Sequence, residues 1–214
     1  MIIAVDGPTA SGKGTIAKAL AAHYGLPHLD TGLLYRAVGR QVALQGGDPD
    51  KADDALAACD FPDAVLSDPE LRTEHTGGLA SRVSIHPEVR RALYDRQRSF
   101  AMQPGGAVLD GRDIGTVIAP EADVKLFVTA TVEARAERRF REMEDRGGGG
   151  TTLADIAANL RRRDERDSGR KDAPLAIASD AYVIDTTGLD RAEAISAVIE
   201  IVDSALKARA AKPR

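Results

Sequence analysis

A glycine-rich loop near the N-terminus constrains the fold of this chain more than any other feature. The apolar run at residues 2–5 leads directly into Gly7-Pro8-Thr9-Ala10-Ser11-Gly12-Lys13-Gly14-Thr15, and a helical pattern starts at Lys13. A strand, a loop of this composition and a helix form a phosphate-binding unit, in which backbone N–H groups and a helix N-terminus converge on phosphate oxygens. The sequence therefore predicts an α/β protein that binds a polyphosphate beside its first strand; the alternative is an ordinary tight strand-to-helix turn.

Individual loop residues have distinct expected tasks. Gly7 and Gly12 allow the tight turns, and Lys13 brings a mobile positive charge to the β- and γ-phosphates. The Thr15 hydroxyl is placed to approach Mg²⁺ directly or through water. Gly14 follows Lys13 where many P-loops have Ser or Thr, so the ending G-K-G-T is similar to that of nucleoside monophosphate kinases.

Strand-like and helical segments alternate along most of the chain. This pattern predicts a three-layer α/β fold, in which a five-stranded parallel sheet is flanked by helices and the ligand lies at the carboxyl ends of the strands. The predicted strands are residues 2–5, 26–29, 107–109, 124–128 and 182–184. The predicted helices are residues 13–24, 31–45, 87–101, 131–146, 151–166 and 190–209.

Two stretches interrupt the alternation within what we expect to be a single domain, residues 1–214. Residues about 46–86 are rich in Asp, Pro and Gly and are predicted to form a short insert beside the sheet. Residues about 141–171 contain the glycine run 147–150, followed by a segment dense in charge. We expect the glycines to act as a flexible joint for an arginine-rich lid, with a surface loop as the alternative.

Composition excludes several classes of function. The net charge of −4 argues against general nucleic-acid binding, and no apolar run approaches the length of a membrane span. The single cysteine, Cys59, cannot form an intrachain disulfide, which agrees with a cytoplasmic location. The four histidines lack metal-ligand spacing and are predicted to be surface or packing residues.

Two further clusters follow predicted strands, where they can meet the loop. Asp30 and Thr31 precede a helix that carries Arg36, and this group could bind an anion or merely cap the helix. Asp110 ends an apolar strand, the usual place for a carboxylate that organises the water shell of Mg²⁺, and Arg112 and Asp113 follow it. A structural ion pair is the alternative for this second cluster.

The predicted lid supplies a third cluster. Arg163, Arg166 and Arg170 have the spacing i, i+3, i+7, so a continuous helix would place them on one side. Arginines at this place would neutralise the transferring phosphoryl group and exclude water, whereas an exposed helix with salt bridges is the alternative. Arg90 and Arg91 add to the basic set.

Together these motifs resemble those of the bacterial cytidylate kinases, over nearly the whole chain. The most specific element is Asp110-Gly111-Arg112-Asp113-Ile114-Gly115-Thr116, of the form D-G-R-D-x-G-T. The resemblance implies a monomeric enzyme that uses ATP and Mg²⁺ to phosphorylate CMP and dCMP. Expected alternatives are a kinase for UMP or another small acceptor, and a nucleotide-binding protein without transfer activity.

The resemblance also implies roles for individual residues. Thr31 lies near the acceptor's ribose and phosphate, and Arg36, Arg112 and Arg170 bind its phosphate or line the transfer path. The cytosine base is read by Ser81, Arg90 and Asp113, and the pentose is contacted by Arg163 and Asp167. Residues implied to act in transfer are Lys13, Arg112, Arg163 and Arg170, and those near the metal are Thr15 and Asp110.

Two departures from the family pattern stand out. The span from Asp30 to Ser81 is short, so the β-hairpin of the better-known bacterial enzymes is expected to be trimmed or absent. Position 168 is Ser, where arginine is frequent in the family.

Overall fold

The computed structural model describes residues 1–145 and 150–211. One parallel sheet lies at its centre, with the strand order β2-β3-β1-β4-β5. The strands are β1 (Ile2–Asp6), β2 (His28–Asp30), β3 (Ala107–Gly111), β4 (Val124–Thr129) and β5 (Tyr182–Asp185). The predicted five-stranded parallel sheet is therefore confirmed.

The central strand β1 is buried on both faces, which explains its unbroken apolar sequence. Ile3 and Val5 pack into the core that includes Val198 from the C-terminal helix, whereas Ala4 packs on the opposite face with Leu109. Side chains alternate along a strand, so the Asp6 side chain emerges on the same face as Ala4. An acidic residue at this position must find polar partners inside the protein.

Eight helices occur in the described part of the chain. They are α1 (Lys13–Tyr24), α2 (Thr31–Leu44), α3 (Ala52–Ala57), α4 (Glu74–Val83), α5 (Pro87–Ala101), α6 (Val132–Asp145), α7 (Leu153–Ser168) and α8 (Arg191–Ala210). Six of them agree with predicted helices to within two residues at each end. Helices α3 and α4 are the two that the sequence pattern did not predict.

The segment 46–86, described throughout, consists of α3, α4 and two 3₁₀ turns, and it contains no strand. It packs on α2 and α5 around a core of its own. The contact between α2 and α4 is very close, because a Cβ at Gly39 would lie 2.7 Å from the Leu79 Cβ. This close packing brings the N-terminal end of α4 next to the arginines described below.

Helices α6 and α7 form the described part of the predicted lid and share a small apolar cluster. A capping box between Thr152 and Asp155 starts α7, and the helix ends at Ser168. Arg170 therefore lies beyond the helix, and the predicted helical continuation through it is wrong. Of the predicted glycine joint, residues 147–149 lie outside the described residues. Among the described helices, none combines the length and apolar character needed to cross a membrane.

Candidate active site

The glycine-rich loop joins β1 to α1. Gly7 has φ +153°, and a Cβ there would lie 2.0 Å from the Val128 carbonyl oxygen, so the position accepts no side chain. Gly12 is left-handed at φ +90° and precedes α1 without a side-chain cap. The first N–H groups of α1 therefore remain available at the loop, as phosphate binding requires.

The loop faces a cleft of about 330 Å³ at the carboxyl ends of the strands. Most of the predicted site residues line it: Thr9, Ala10, Gly12, Lys13, Gly14, Thr15, Thr31, Arg36, Ser81, Arg90, Asp110, Arg112, Asp113, Arg163, Asp167 and Arg170. The other three, Gly7, Pro8 and Ser11, are buried within the loop and do not line the cleft. The cleft thus brings together side chains from the loop, the sheet, the insert and the lid.

Lys13 lies deep in the cleft, where its ammonium group donates to the Pro8 carbonyl oxygen at 3.3 Å. Burial lowers the pKa of Lys13 to about 7, and the positive charge of Arg112 adds to this effect. Asp110 and Asp30 oppose the shift. The carboxylates nearby therefore do not offset the cost of burying the Lys13 charge, and an anion beside the ammonium group would stabilise its charged form.

Asp30 and Asp110 form an acidic pair beside Lys13. Burial raises the pKa of Asp30, and the charge of Asp110 raises it further. The Asp110 carboxylate also lies 2.7 Å from His28 Nε2, so the prediction that all histidines are surface or packing residues is wrong for His28. Within residues 1–145 and 150–211, no three His, Cys, Asp or Glu side chains form a metal cluster. One or two carboxylates are nonetheless what Mg²⁺ uses when substrate phosphates complete its coordination, so Asp110 and Thr15 fit this ion.

Thr31 and Arg36 line the cleft from helix α2. The Thr31 hydroxyl is buried and donates to the Asp110 carbonyl oxygen at 2.8 Å, which keeps its lone pairs available as acceptors. Arg36 donates to the carbonyl oxygens of Leu71 and Thr73 at 2.7 and 2.9 Å. The insert therefore orients this guanidinium through backbone groups.

Arg112 connects the loop to the lid. It donates to Asp167 at 2.9 Å and to the Thr9 hydroxyl at 2.6 Å. Burial acts to raise the pKa of Asp167, but Arg112, Arg170 and Arg163 outweigh this effect, and its pKa is lowered. Arg170 donates to the Asp167 carbonyl oxygen at 3.2 Å, so it reaches the cleft from the turn that follows α7.

Glu74 holds two arginines of the lid. Arg163 donates to one of its carboxylate oxygens at 3.0 Å, and Arg139 donates to the other at 2.7 Å. Sequence reasoning did not identify Glu74 or Arg139 as site residues. Glu74 fell in the insert, where no helix was predicted, and Arg139 fell in a helix with an ordinary charged pattern.

A buried ion pair lines the cleft on the side of the turn that follows β3. The Arg90 guanidinium donates to the Asp113 carboxylate and lies 5.5 Å from the centroid of the Tyr35 ring. Ser81 lines the same cleft, and its hydroxyl accepts a hydrogen bond from Arg166 at 2.7 Å. Tyr35 and Arg166 therefore contact the predicted base-reading residues. The sequence placed Arg166 among the arginines over the transferring phosphoryl group, and it gave Tyr35 no role in the site.

The P-loop on a parallel sheet faces an arginine-lined cleft between segment 46–86 and helices α6 and α7, and this is the architecture of a P-loop kinase. A family model described as "Cytidylate kinase" matches residues 3–204. A curated cytidylate kinase from Xanthobacter autotrophicus (strain ATCC BAA-1158 / Py2) is 56% identical over 204 residues, which cover 95% of this chain and 98% of that protein. Another from Caulobacter sp. (strain K31) is 50% identical over 214 residues and covers 100% of this chain and 98% of its own length. The chain belongs to the cytidylate kinase family.

A solved structure of an uncharacterized protein from Eubacterium ventriosum ATCC 27560 is also similar. It is 16% identical, has a TM-score of 0.56, and is matched over 95% of this chain and 99% of its own length. At this identity the likeness shows the fold alone.

Proposed function

We propose that this chain transfers the γ-phosphoryl group of ATP to the phosphate of CMP and dCMP, giving CDP and dCDP. ATP-dependent phosphorylation of these nucleotides is the activity of its family. The observation that carries the proposal for this chain is the buried Arg90–Asp113 pair, which lines the same cleft as the phosphate loop. One cavity thus holds groups suited to a polyphosphate and groups suited to a cytosine base.

The donor nucleotide would occupy the loop. Backbone N–H groups between Gly7 and Thr15 would bind the ATP phosphates, and the buried ammonium group of Lys13 would neutralise the β- and γ-phosphates. Thr15 and Asp110 would hold Mg²⁺ through its water shell, and the ion would supply further neutralisation of the phosphate charges. The Lys13 side chain is already oriented toward the loop by its hydrogen bond to Pro8.

The acceptor base would be read by Ser81, Arg90 and Asp113. Cytosine presents an N4 amine, which a carboxylate or hydroxyl accepts, beside N3 and O2, to which a guanidinium can donate. Uracil presents O4 and N3–H at the same edge, so the same groups would face mismatched partners. Unpaired polar groups in a buried site are costly, which favours strong discrimination.

The rest of the acceptor would lie between the base and the loop. We assign the pentose to Asp167 and Arg163, the sugar and phosphate region to Thr31, and the acceptor phosphate to Arg36 and Arg170. Residues about 46–86 would then act as the acceptor insert, and the described part of 141–171 as a lid. We further propose that the protein is a cytoplasmic monomer, because residues of a single chain supply groups for the donor phosphates and for the acceptor's base, sugar and phosphate.

Transfer would proceed by in-line attack of a CMP phosphate oxygen on the γ-phosphorus. The nucleophile is already an oxyanion, so no general base is needed, and Asp113 acts in binding. Lys13, Arg112, Arg163 and Arg170 would stabilise the charge that spreads over the equatorial oxygens. Closure of the lid arginines over this group would exclude water and so suppress hydrolysis of ATP.

A substrate panel tests the proposal. With ATP and Mg²⁺ in a coupled assay, CMP and dCMP should give the highest kcat/KM, and UMP should be far weaker. A preference for UMP or a non-nucleotide acceptor would replace the proposed substrate. If the protein binds nucleotides but shows no CMP-dependent turnover, the proposed catalysis is wrong and the protein has a binding role instead.

A further inference from the structure

Asp6 is a buried acid that the transfer chemistry does not use. It is the last residue of β1, the central strand, and directly precedes Gly7 of the phosphate loop. Its side chain is only 4% exposed. The Ile114 N–H donates to one carboxylate oxygen at 2.9 Å, and the Gly115 N–H donates to the other at 2.8 Å. Both carboxylate oxygens of Asp6 therefore accept hydrogen bonds from the segment that follows Asp113.

That segment is a short π-helical turn, Ile114–Ile118, with Asp113 immediately before it. The Val117 and Ile118 N–H groups donate to the Asp113 carbonyl oxygen at 2.9 and 3.1 Å. The turn is thus held by two acceptors, the Asp113 backbone carbonyl oxygen and the Asp6 carboxylate. Because the Asp6 contacts begin at the very next residue, they restrict where the Asp113 side chain can point.

Close packing explains why glycine occupies position 115. A Cβ there would lie 3.1 Å from the Lys125 side chain and 3.4 Å from an Asp6 carboxylate oxygen. The second glycine of the D-G-R-D-x-G-T element therefore lets the turn approach the Asp6 carboxylate. The acid and the glycine therefore pack directly on each other, although Ile114 and Gly115 are 108 and 109 positions away from Asp6 in the sequence.

We infer that Asp6 is a positioning residue for acceptor selection, which fixes Asp113 against Arg90 so that the pair reads cytosine. The inference rests on the proposed function, in which Asp113 contacts the base. Because Asp6 ends β1, its carboxylate ties the turn to the same strand that carries the phosphate loop. The base-reading end and the donor end of the cleft therefore share one rigid support.

The charged form of the Asp6 carboxylate is costly to keep in this buried place, so its hydrogen bonds must compensate for the cost. Burial raises the pKa of Asp6 to about 7, and the hydrogen bonds from Gly115 and Ile114 oppose that rise. Asp113 adds to the rise and Arg112 opposes it. A buried acid of this kind is retained only where its hydrogen bonds are needed, since an apolar residue would avoid the burial cost.

The test is Asp6→Asn with steady-state kinetics for both substrates. The amide keeps the shape but directs N–H groups at a backbone N–H, so one anchor of the turn is lost. We expect the KM for CMP to rise on the order of tenfold or more, because a buried N–H loses its acceptor. The KM for ATP should change little, and the ratio of kcat/KM for CMP over UMP should fall.

A matched control is available at the other end of the same strand. Asp123 accepts a hydrogen bond from the Ile2 N–H at 2.8 Å, far from the cleft. Asp123→Asn should leave both KM values and the CMP preference unchanged. Gly115→Ala provides a second route if Asp6→Asn fails to fold, and it should raise the KM for CMP in the same direction.

Three outcomes separate the possibilities. If the wild-type protein prefers CMP, and Asp6→Asn raises the KM for CMP selectively, the inference holds. If the wild type prefers CMP, but Asp6→Asn or Gly115→Ala lowers only kcat with all KM values and the CMP preference unchanged, Asp6 has a merely structural role and the inference is wrong. If the wild-type protein does not prefer CMP, the proposed function fails first, and the inference falls with it.

Discussion

Replacement of Glu74 tests the arrangement of the lid arginines most directly. Its carboxylate joins α4 to both lid helices, with Arg163 at 3.0 Å and Arg139 at 2.7 Å. Glu74→Gln keeps the shape of the side chain and one acceptor oxygen but removes the negative charge. Arg163 then stays buried without its ion-pair partner, which is the costly half of a broken pair.

The expected loss of stability follows from the exposure of the three side chains. A hydrogen bond to a charged group contributes about 1.5–3 kcal/mol when it is shielded from water. Glu74 is 33% exposed, whereas Arg163 is 8% and Arg139 is 15% exposed, so solvent screens the contact in part. We therefore expect Glu74→Gln to lower the free energy of unfolding by about 1–2 kcal/mol at pH 7.

The pH dependence of this loss provides a second readout. Burial acts to raise the pKa of Glu74, but Arg163 and Arg139 outweigh it, and the pKa lies below its ordinary value of 4.5. A carboxylate with a lowered folded-state pKa stabilises the protein above its unfolded-state pKa, and this stability is lost as the pH falls through the folded value. The difference between wild type and Glu74→Gln should therefore be full at pH 7 and shrink below about pH 4.

Urea denaturation at several pH values measures both effects, and Glu142→Gln serves as the control. Glu142 also binds Arg139, at 3.0 Å, but it is 54% exposed. Its replacement should cost less than about 0.5 kcal/mol. Equal losses for the two variants, or a loss for Glu74→Gln that persists at low pH, would refute this account.

We also expect kcat to fall by about tenfold in Glu74→Gln, because misplacement of the Arg163 guanidinium weakens transition-state stabilisation.

Three further predictions concern the loop, the base and the core. Lys13→Ala should lower kcat by at least about 10²-fold while calorimetry shows CMP binding largely intact; near-normal turnover would contradict the role of the loop. Asp113→Asn should lower kcat/KM for CMP by about 10- to 100-fold and weaken the preference over UMP in the coupled assay, because an amide can also donate to O4 of uracil. Leu126→Ala, at a strand position only 1% exposed, should lower the free energy of unfolding by about 2–5 kcal/mol in urea titrations; a loss below 1 kcal/mol would mean that the site repacks.

Local patterns were sufficient for the sheet and for most helices. The run at residues 2–5 and the helix starting at Lys13 are each specified by contiguous residues, so their positions agree with the structure. Helix α4 could not be predicted in this way, because Gly77 and Gly78 lower its intrinsic helix propensity. Gly77 is explained only by a tertiary contact, since a Cβ there would lie 2.8 Å from the Arg36 guanidinium.

The site divides along the same line. The phosphate loop and the D-G-R-D-x-G-T element are short motifs. Their residues line one cleft at the carboxyl ends of the strands, as the sequence predicted. The pairing of Arg163 with Glu74 joins residues 89 positions apart, and that of His28 with Asp110 joins residues 82 apart. No periodicity or spacing encodes such contacts, because they arise only after the insert and the sheet have packed.

The distribution of counter-ions gives physical support to the assignment of the acceptor phosphate. Arg112, Arg163 and Arg90 each have a carboxylate partner within the protein. In the described part of the chain, Arg36 and Arg170 make no ion pair, and they bind backbone carbonyl and hydroxyl oxygens instead.

The pKa of each of these two arginines is lowered, as is the pKa of Arg163. Burial lowers the pKa of Arg36 to about 10, and the charge of Arg163 lowers it further. Burial also lowers the pKa of Arg170, and Arg90 contributes to the shift although Asp167 opposes it. An added anion stabilises a charged guanidinium most where no internal carboxylate is already paired with it directly. The acceptor phosphate would therefore gain most from Arg36 and Arg170, which line the same cleft as the base-reading pair and the phosphate loop.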